Sequence, residues 1–260
     1  MGTMTLYHGE PNGPSLTVLA ALYETGLDAD LVAIDLSIGE RHGKAPLGVE
    51  SAMSIEGEGP VLEVNGEAMA DSVFLAQYLD ERAGGAGLQP KEPFAHWEMM
   101  MWCRYIIERV APAAAYLGNR THGTARLKTL DDTAFEALTG AIASEDLKQR
   151  WIEVRCGDFD EAKVADSATK ISEAVDKLEA RLADGRDWLM GDFSIADLES
   201  YAWLAGMVSV LSSAFNEAEN TAAWMERVKT RPSVAAALAR ARSDDPTSAW
   251  APGPEINRWG

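Results

Sequence analysis

Cysteine is scarce in this chain: Cys103 and Cys156 are the two in 260 residues, and they form no CxxC. That excludes a disulfide framework and a CxxC redox pair, and fits two unpaired thiols in a reducing cytoplasm. The four histidines, His8, His42, His96 and His122, show no metal-ligand spacing, so no metal site is expected. Basic residues are outnumbered: 23 Lys and Arg against 41 Asp and Glu leave a net charge of −18. Nucleic acid and anionic membrane both need a cationic footprint, so neither is an expected partner. The acidic excess is spread along the chain, and solubility accounts for it. No apolar run reaches the roughly 18 residues that read as a membrane span. The opening Met1–Thr5 has no basic n-region or apolar h-region, so no signal peptide is expected.

What is present is ordinary for a globular protein, 47% hydrophobic and 25% charged, with length for one or two domains. The first 82 residues alternate between strand and helix. A strand at 6–8 leads into a Gly/Pro-rich turn at 9–14. A helix follows over 15–25, with Leu16, Leu19, Ala20, Leu22 and Tyr23 apolar and Gly26 closing it. A second strand is predicted at 31–34 and a long loop at 37–58. Asn65-Gly66 then makes a tight hairpin between strands 61–64 and 67–69, ahead of a helix at 73–81. This order predicts a small mixed sheet with helices against it. The glycines and prolines of 84–93 mark a linker. The division expected is therefore 1–83, linker 84–93, a helical domain 94–243 and an extended tail 244–260. Helices are predicted at 94–117 (bent at Pro112), 135–142, 145–154, 166–182, 195–211, 221–229 and 233–242. The tail carries three prolines with Trp250 and Trp259.

Chemistry concentrates in the first part. A proline opening an apolar strand after a Gly-rich turn predicts a cis bond at Gly59-Pro60. The Gly59 backbone could then pair with a peptide laid alongside. Beyond the hairpin, the Ser72 hydroxyl and nearby N–H groups at a helix start suit a carboxylate, and Asp71 suits an ammonium. A ligand with a peptide backbone and an amino-acid head fits; glutathione is such a ligand. Ser15, in the first turn of its helix, can stabilise a thiolate, with Asn12 as an alternative amide donor. Tyr7 and His8 precede them on the strand. Farther on, Ser194 and Asp197 form a capping box, flanked by the staple pair Phe193 and Leu198. The helix it starts is apolar nearly all round, so this box has a folding role at the centre of the helical domain.

These motifs, in this order, closely resemble the glutathione S-transferase superfamily over nearly the whole chain. The run Gly191-Asp192-Phe193-Ser194-Ile195-Ala196-Asp197 is the most specific piece. The resemblance implies a thioredoxin-like α/β N-terminal domain, an all-α C-terminal domain, a dimer, and glutathione at the junction. It also implies Pro60 as the cis-proline, Gly59 as its backbone partner, and Asp71 and Ser72 at the γ-glutamyl end. A narrower set looks like the bacterial lignin β-etherases: Leu6-Tyr7, Ser15-Leu16, the run 22–27, and Lys148-Gln149-Arg150-Trp151 with Arg155 and Gly157-Asp158-Phe159 in an inserted helix–loop. That likeness implies cleavage of lignin-derived β-aryl ether ketones by glutathione sulfur. Candidate walls for an aromatic substrate pocket are Trp97, Met101, Tyr105, Tyr116, Trp151 and Trp250.

The chain departs from the family before the proline, where Ser54-Ile55-Glu56-Gly57-Glu58-Gly59 brings two glutamates and a glycine in place of valine. Both glutamates would oppose the glycyl carboxylate of glutathione, while Arg41, His42 and Lys44 could compensate. The alternative expectation is a catalytically silent subunit that stabilises an active partner, so the dimer is of like or unlike chains. A glutathione-dependent thiol–disulfide reductase is disfavoured by the lack of any cysteine before Cys103.

Overall fold

Alternation decides the first strand. In β1 (Met4–His8), Met4, Leu6 and His8 are buried, while Thr5 and Tyr7 point to the half-open face. The computed structural model describes residues 3–48 and 58–253. β1 runs parallel to β2 (Asp30–Ala33) and antiparallel to β3 (Val61–Val64), with Tyr7 opposite both Val32 and Val61. β4 (Glu67–Met69) completes the sheet in the order β2-β1-β3-β4. Asn65 and Gly66 join β3 to β4 with φ of 54° and 87°, the left-handed pair that a two-residue hairpin requires.

Helix α1 (Gly13–Thr25) starts two residues before the predicted position because Asn12, not Ser15, is its N-cap. Gly26 ends it at φ 65°. Its residues from Ser15 to Leu22 are all buried, which suits a helix packed on several sides. A short helix α2 (Arg41–Lys44) lies in the loop after β2, and α3 (Ser72–Arg82) follows the hairpin.

The next stretch is helical: α4 (Pro93–Tyr105), α5 (Ala111–Gly118) and α6 (Thr124–Leu127), joined by wider π turns at Ile106–Val110 and Asn119–Gly123. The single bent helix expected here is thus corrected. A proline ring strikes the carbonyl four residues back in a regular helix, and the first π turn ends just ahead of Pro112. Then come α7 (Asp132–Gly140), α8 (Glu145–Cys156), α9 (Glu161–Leu182), α10 (Ile195–Leu204), α11 (Met207–Val210), α12 (Glu219–Thr230) and α13 (Pro232–Leu238). The helix predicted at 195–211 is interrupted at Gly206, where Trp250 leaves no room for a side chain.

Every residue of α10 is buried. Its capping box is formed: Asp197 Oδ2 accepts from Ser194 N–H at 3.0 Å and Ser194 Oγ–H at 3.1 Å. α1 packs against α3, α10 and α13, so one core runs from sheet to helices. A second cluster, Leu127, Phe135, Ile142, Leu147, Trp151 and Val154, is packed by Ile38 from the loop after β2.

Candidate functional site at the helix starts

Three chain segments begin close together. Gly59 lies against Pro14: a Cβ on it would meet the Pro14 ring at 3.4 Å. Thr17 of α1 and Ser72 of α3 both act on Glu199 of α10. Two helix N-termini therefore converge where an anionic ligand is favoured.

At the first of them, Asn12 Oδ1 accepts from Gly13 N–H at 3.0 Å. Its amide donates outward to the tail, to Thr247 O at 3.1 Å and Ala249 O at 3.4 Å. Ser15 is fully buried, and its Oγ accepts from Gly9 N–H at 3.0 Å, which ties down the turn between β1 and α1. Its hydroxyl proton remains the group available to donate. His8 is buried beside Gly9 O, and burial lowers its pKa, so it does not open toward a ligand.

The Gly59–Pro60 bond corrects the sequence expectation. Among the described residues no peptide bond is cis. Trans is the lower-energy form by about 0.5–1 kcal/mol for X-Pro, and Gly59 fits beside Pro14 without isomerising. Ser54, Ile55, Glu56 and Gly57 lie outside the described residues.

At the second N-terminus, Asp71 caps α3, with Oδ1 accepting from Val73 N–H at 3.1 Å and Phe74 N–H at 3.3 Å. Its φ of 76° is rare for a residue with a side chain, a strain of about 1–3 kcal/mol that clusters at ligand sites. The residue has an open surface, yet protein crowding desolvates its carboxyl and raises its pKa against those two backbone donors. Ser72 is buried and donates to Glu199 Oε1 at 3.0 Å, where Trp203 Nε1–H also arrives at 2.8 Å. Thr17 also favours the ionised form, although neither its hydroxyl nor Glu199 Oε2 reaches hydrogen-bond geometry. Burial pushes the Glu199 carboxyl up to about 7, and the nearby Asp71 charge adds to the rise. Sequence reasoning missed Glu199. The available signal was a glutamate inside a helix otherwise read as apolar, since a buried carboxylate demands partners.

Of the cations expected near the glycyl carboxylate, His42 and Lys44 are committed elsewhere, Lys44 Nζ to Glu40 Oε1 at 2.6 Å. Glu58 is buried and the side chain of half-buried His42 is covered, with Nε2 to Oε1 at 2.9 Å. A carboxylate only accepts, so Nε2 carries the proton. Trp151 Nε1–H reaches the same oxygen at 3.2 Å. α8 is thereby docked on the first part of the chain, and Trp151, fully buried, is a core residue rather than a pocket wall. Trp151→Phe keeps the ring and removes that donor, so it should cost about 2 kcal/mol in a denaturant titration. An unchanged midpoint would show that the indole N–H holds nothing.

The remaining candidate walls are spread: Trp250 follows Ala249, whose carbonyl meets the Asn12 amide at the start of α1, while the others lie on α4 and α5. Phe94, Trp97 and Met101 form an exposed apolar stripe on α4, at 66%, 54% and 43% exposure. Tyr105 is half-buried on the same helix, under Lys177 at 5.4 Å. Tyr116 packs edge-on to Phe159 at 5.1 Å, and its hydroxyl accepts from Asp160 N–H at 2.9 Å. Trp250 is buried between Gly118 and Gly206, packed toward Trp203 at 6.3 Å. Cys103 is buried, and burial raises its thiol pKa; Cys156 is exposed beside an open cleft of about 360 Å³ that Arg120 and Lys128 also line. Among the described residues no group of three or more His, Cys, Asp or Glu could hold a metal, and no helix is long and apolar enough to cross a membrane.

Residues 13–87 match the glutathione S-transferase N-terminal domain, and residues 130–232 match the C-terminal domain. The chain belongs to the glutathione S-transferase superfamily. Its mixed sheet followed by helices is the glutathione S-transferase fold, with a thioredoxin-like N-terminal part. Protein LigF of Sphingobium sp. (strain NBRC 103272 / SYK-6) is 25% identical over 252 residues, 94% of this chain and 96% of its own. The crystal structure of β-etherase LigF from that strain superposes with a TM-score of 0.80 at 24% identity, covering 92% of this chain and 100% of the other. Glutathione S-transferase F14 of Arabidopsis thaliana is 27% identical over 221 residues, 82% of this chain and 74% of its own. Glutathione transferase F7 of Populus trichocarpa, at 23% identity, gives a TM-score of 0.64 over 91% of this glutathione S-transferase chain and 99% of its own.

Proposed function

We propose that this chain is a glutathione-dependent transferase of the β-etherase kind, acting on lignin-derived aromatic β-aryl ether ketones. The observation that carries the glutathione part is the convergence of the Asn12–Ser15 turn, Gly59-Pro60 and the strained Asp71-Ser72 cap. Full-length similarity to LigF at 25% identity supports the ether substrate. Asp71 faces the ammonium and Ser72 the carboxylate of the γ-glutamyl end. The Gly59 backbone lies along the cysteinyl residue. The Ser15 hydroxyl donates to the sulfur and favours the thiolate, and the Asn12 amide can assist once the tail releases it. That sulfur bonds to the carbon beside the ketone. The bond from this carbon to the aryl oxygen breaks, and the phenoxide leaves and takes a proton. The products are a glutathione thioether and a phenol.

The α4 stripe of Phe94, Trp97 and Met101 suits a second subunit, of like or unlike chain. One set of contacts favours the silent-subunit reading instead: His42 is tied to Glu58, and the Asn12 amide to the tail. Calorimetric titration with glutathione separates the two. Binding should occur, and Ser72→Ala should weaken it by about tenfold or more, the loss of a hydrogen bond to a charged group. No heat from a folded protein would turn the case to the silent subunit. Release of a phenol from an aryl ether ketone then tests the substrate.

A further inference from the structure

Glu199 has no place in the chemistry above, yet it is fully buried and shares one oxygen between Ser72 and Trp203. Among the described residues its other oxygen, Oε2, has no partner in hydrogen-bond geometry and neither does the Thr17 hydroxyl, although Thr17 lies near enough to favour the charged form. We propose that Glu199 is a positioning residue of the glutathione site, which sets how freely the Ser72 hydroxyl turns to the γ-glutamyl carboxylate. This rests on the glutathione reading above.

An ionised carboxylate accepts only, so Ser72 must aim its proton inward at Oε1 through a charge-assisted bond. The same anion then sits one hydrogen bond behind the place that the ligand carboxylate must occupy, in surroundings of low dielectric. Protonation at Oε2 relieves both. Oε1 then becomes a neutral carbonyl oxygen, and the Ser72 proton is held more weakly, while Thr17 sets where this happens by favouring the charged form. With its carboxyl pushed up to about 7 by burial, Glu199 changes state near neutrality.

The groups around it do not reverse that direction. Thr17 faces it from α1, Asp71 and Ser72 from the start of α3, and Trp203 from its own helix. Cys103 of α4 stays a thiol, raised first by burial and then by the charges of Glu199, Asp197 and Asp71. Trp224 of α12 is bonded to Asp197. Arg109 of the first π turn and Glu226 of α12 act on Tyr105 and Tyr201.

The test is calorimetry with S-methylglutathione, whose sulfur cannot ionise, on the full chain and on Glu199→Gln. The amide is neutral and its oxygen can still accept from Ser72 and Trp203, so it mimics the protonated acid. Affinity of the unaltered chain should fall about tenfold between about pH 6 and about pH 8, the share of protonated carboxyl lost over that range. Glu199→Gln should hold the low-pH affinity throughout, and the comparison cancels the titration of the ligand's own amine. Thr17→Val removes a group that favours the ionised form, so it should move the fall to higher pH. Its fold is not at risk from an amide in the core. An unchanged pH profile in Glu199→Gln or Thr17→Val overturns the inference and leaves glutathione binding intact, as does an equal loss of affinity at both pH values. No heat from any of the three proteins, at any pH, overturns the glutathione reading and the inference together.

Discussion

Asp197→Ala should lower the unfolding free energy by about 4 kcal/mol, out of the 5–15 kcal/mol usual for a folded domain. The carboxylate is fully buried and serves four donors. Oδ1 accepts from Leu189 N–H at 3.0 Å and Trp224 Nε1–H at 2.9 Å; Oδ2 accepts from Ser194 N–H and Oγ–H. Alanine leaves three N–H groups without an acceptor in the core, and each costs about 1–3 kcal/mol when unpaired. Water entering the space recovers part of that. Asp197→Asn retains one acceptor oxygen and should lose about half as much. Burial also raises this carboxyl from 3.8 to about 6. The native state therefore holds its proton more tightly than the unfolded chain. The associated stability is fully present below about pH 3.8 and is lost as pH rises through about 6. Urea titrations at two pH values measure both effects. An alanine variant within about 1 kcal/mol of the unaltered chain would mean that the capping box is not what fixes the centre of the helical part.

The elements that were legible in the sequence are those set by neighbours in the chain. Asn65-Gly66 specifies its hairpin through two positive φ angles, and Gly26 ends α1 for the same reason. Ser194 and Asp197 are three residues apart, so their reciprocal cap can be read directly. What distant segments decide was not legible. His42, Glu58 and Trp151 meet around one oxygen although Glu58 and Trp151 are 93 residues apart. The two glutamates before Pro60 read as an obstacle to an anionic ligand; that Glu58 also anchors α8 through the Trp151 indole could not be read from the sequence. Pro60 illustrates a different limit. The free-energy gap between its isomers is small, so the packing of Gly59 on Pro14 matters as much as the local sequence. The π turns had no cue beyond Pro112, which predicted a disturbance and not its form.

Trp250→Ala should release the tail, raising its susceptibility to limited proteolysis on the order of hundredfold while the rest of the chain stays folded. The indole fills a slot made by two missing side chains: a Cβ on Gly118 would lie 2.3 Å from it and one on Gly206 2.6 Å. Deleting a buried tryptophan costs about 3–5 kcal/mol, and about 3 kcal/mol of local opening is a hundredfold in the open population. Among the described residues the tail is also held by polar contacts, from Asn119 Nδ2 to Ala251 O at 2.6 Å, Arg150 Nη1 to Gly253 O at 3.0 Å, and the Asn12 amide to Thr247 O and Ala249 O. None replaces the lost apolar area. Gly118→Ala should do the same from the opposite side, because its methyl group and the indole cannot share the slot. Since the tail engages Asn12, opening it also frees an amide beside Ser15. Under the proposed chemistry both variants should therefore change glutathione affinity along with proteolysis, whereas Trp151→Phe, whose indole meets Glu58 and not the tail, should leave the tail's proteolysis unchanged. A tail that stays protected in both variants would show that its backbone contacts, and not the indole, hold it across the start of α1.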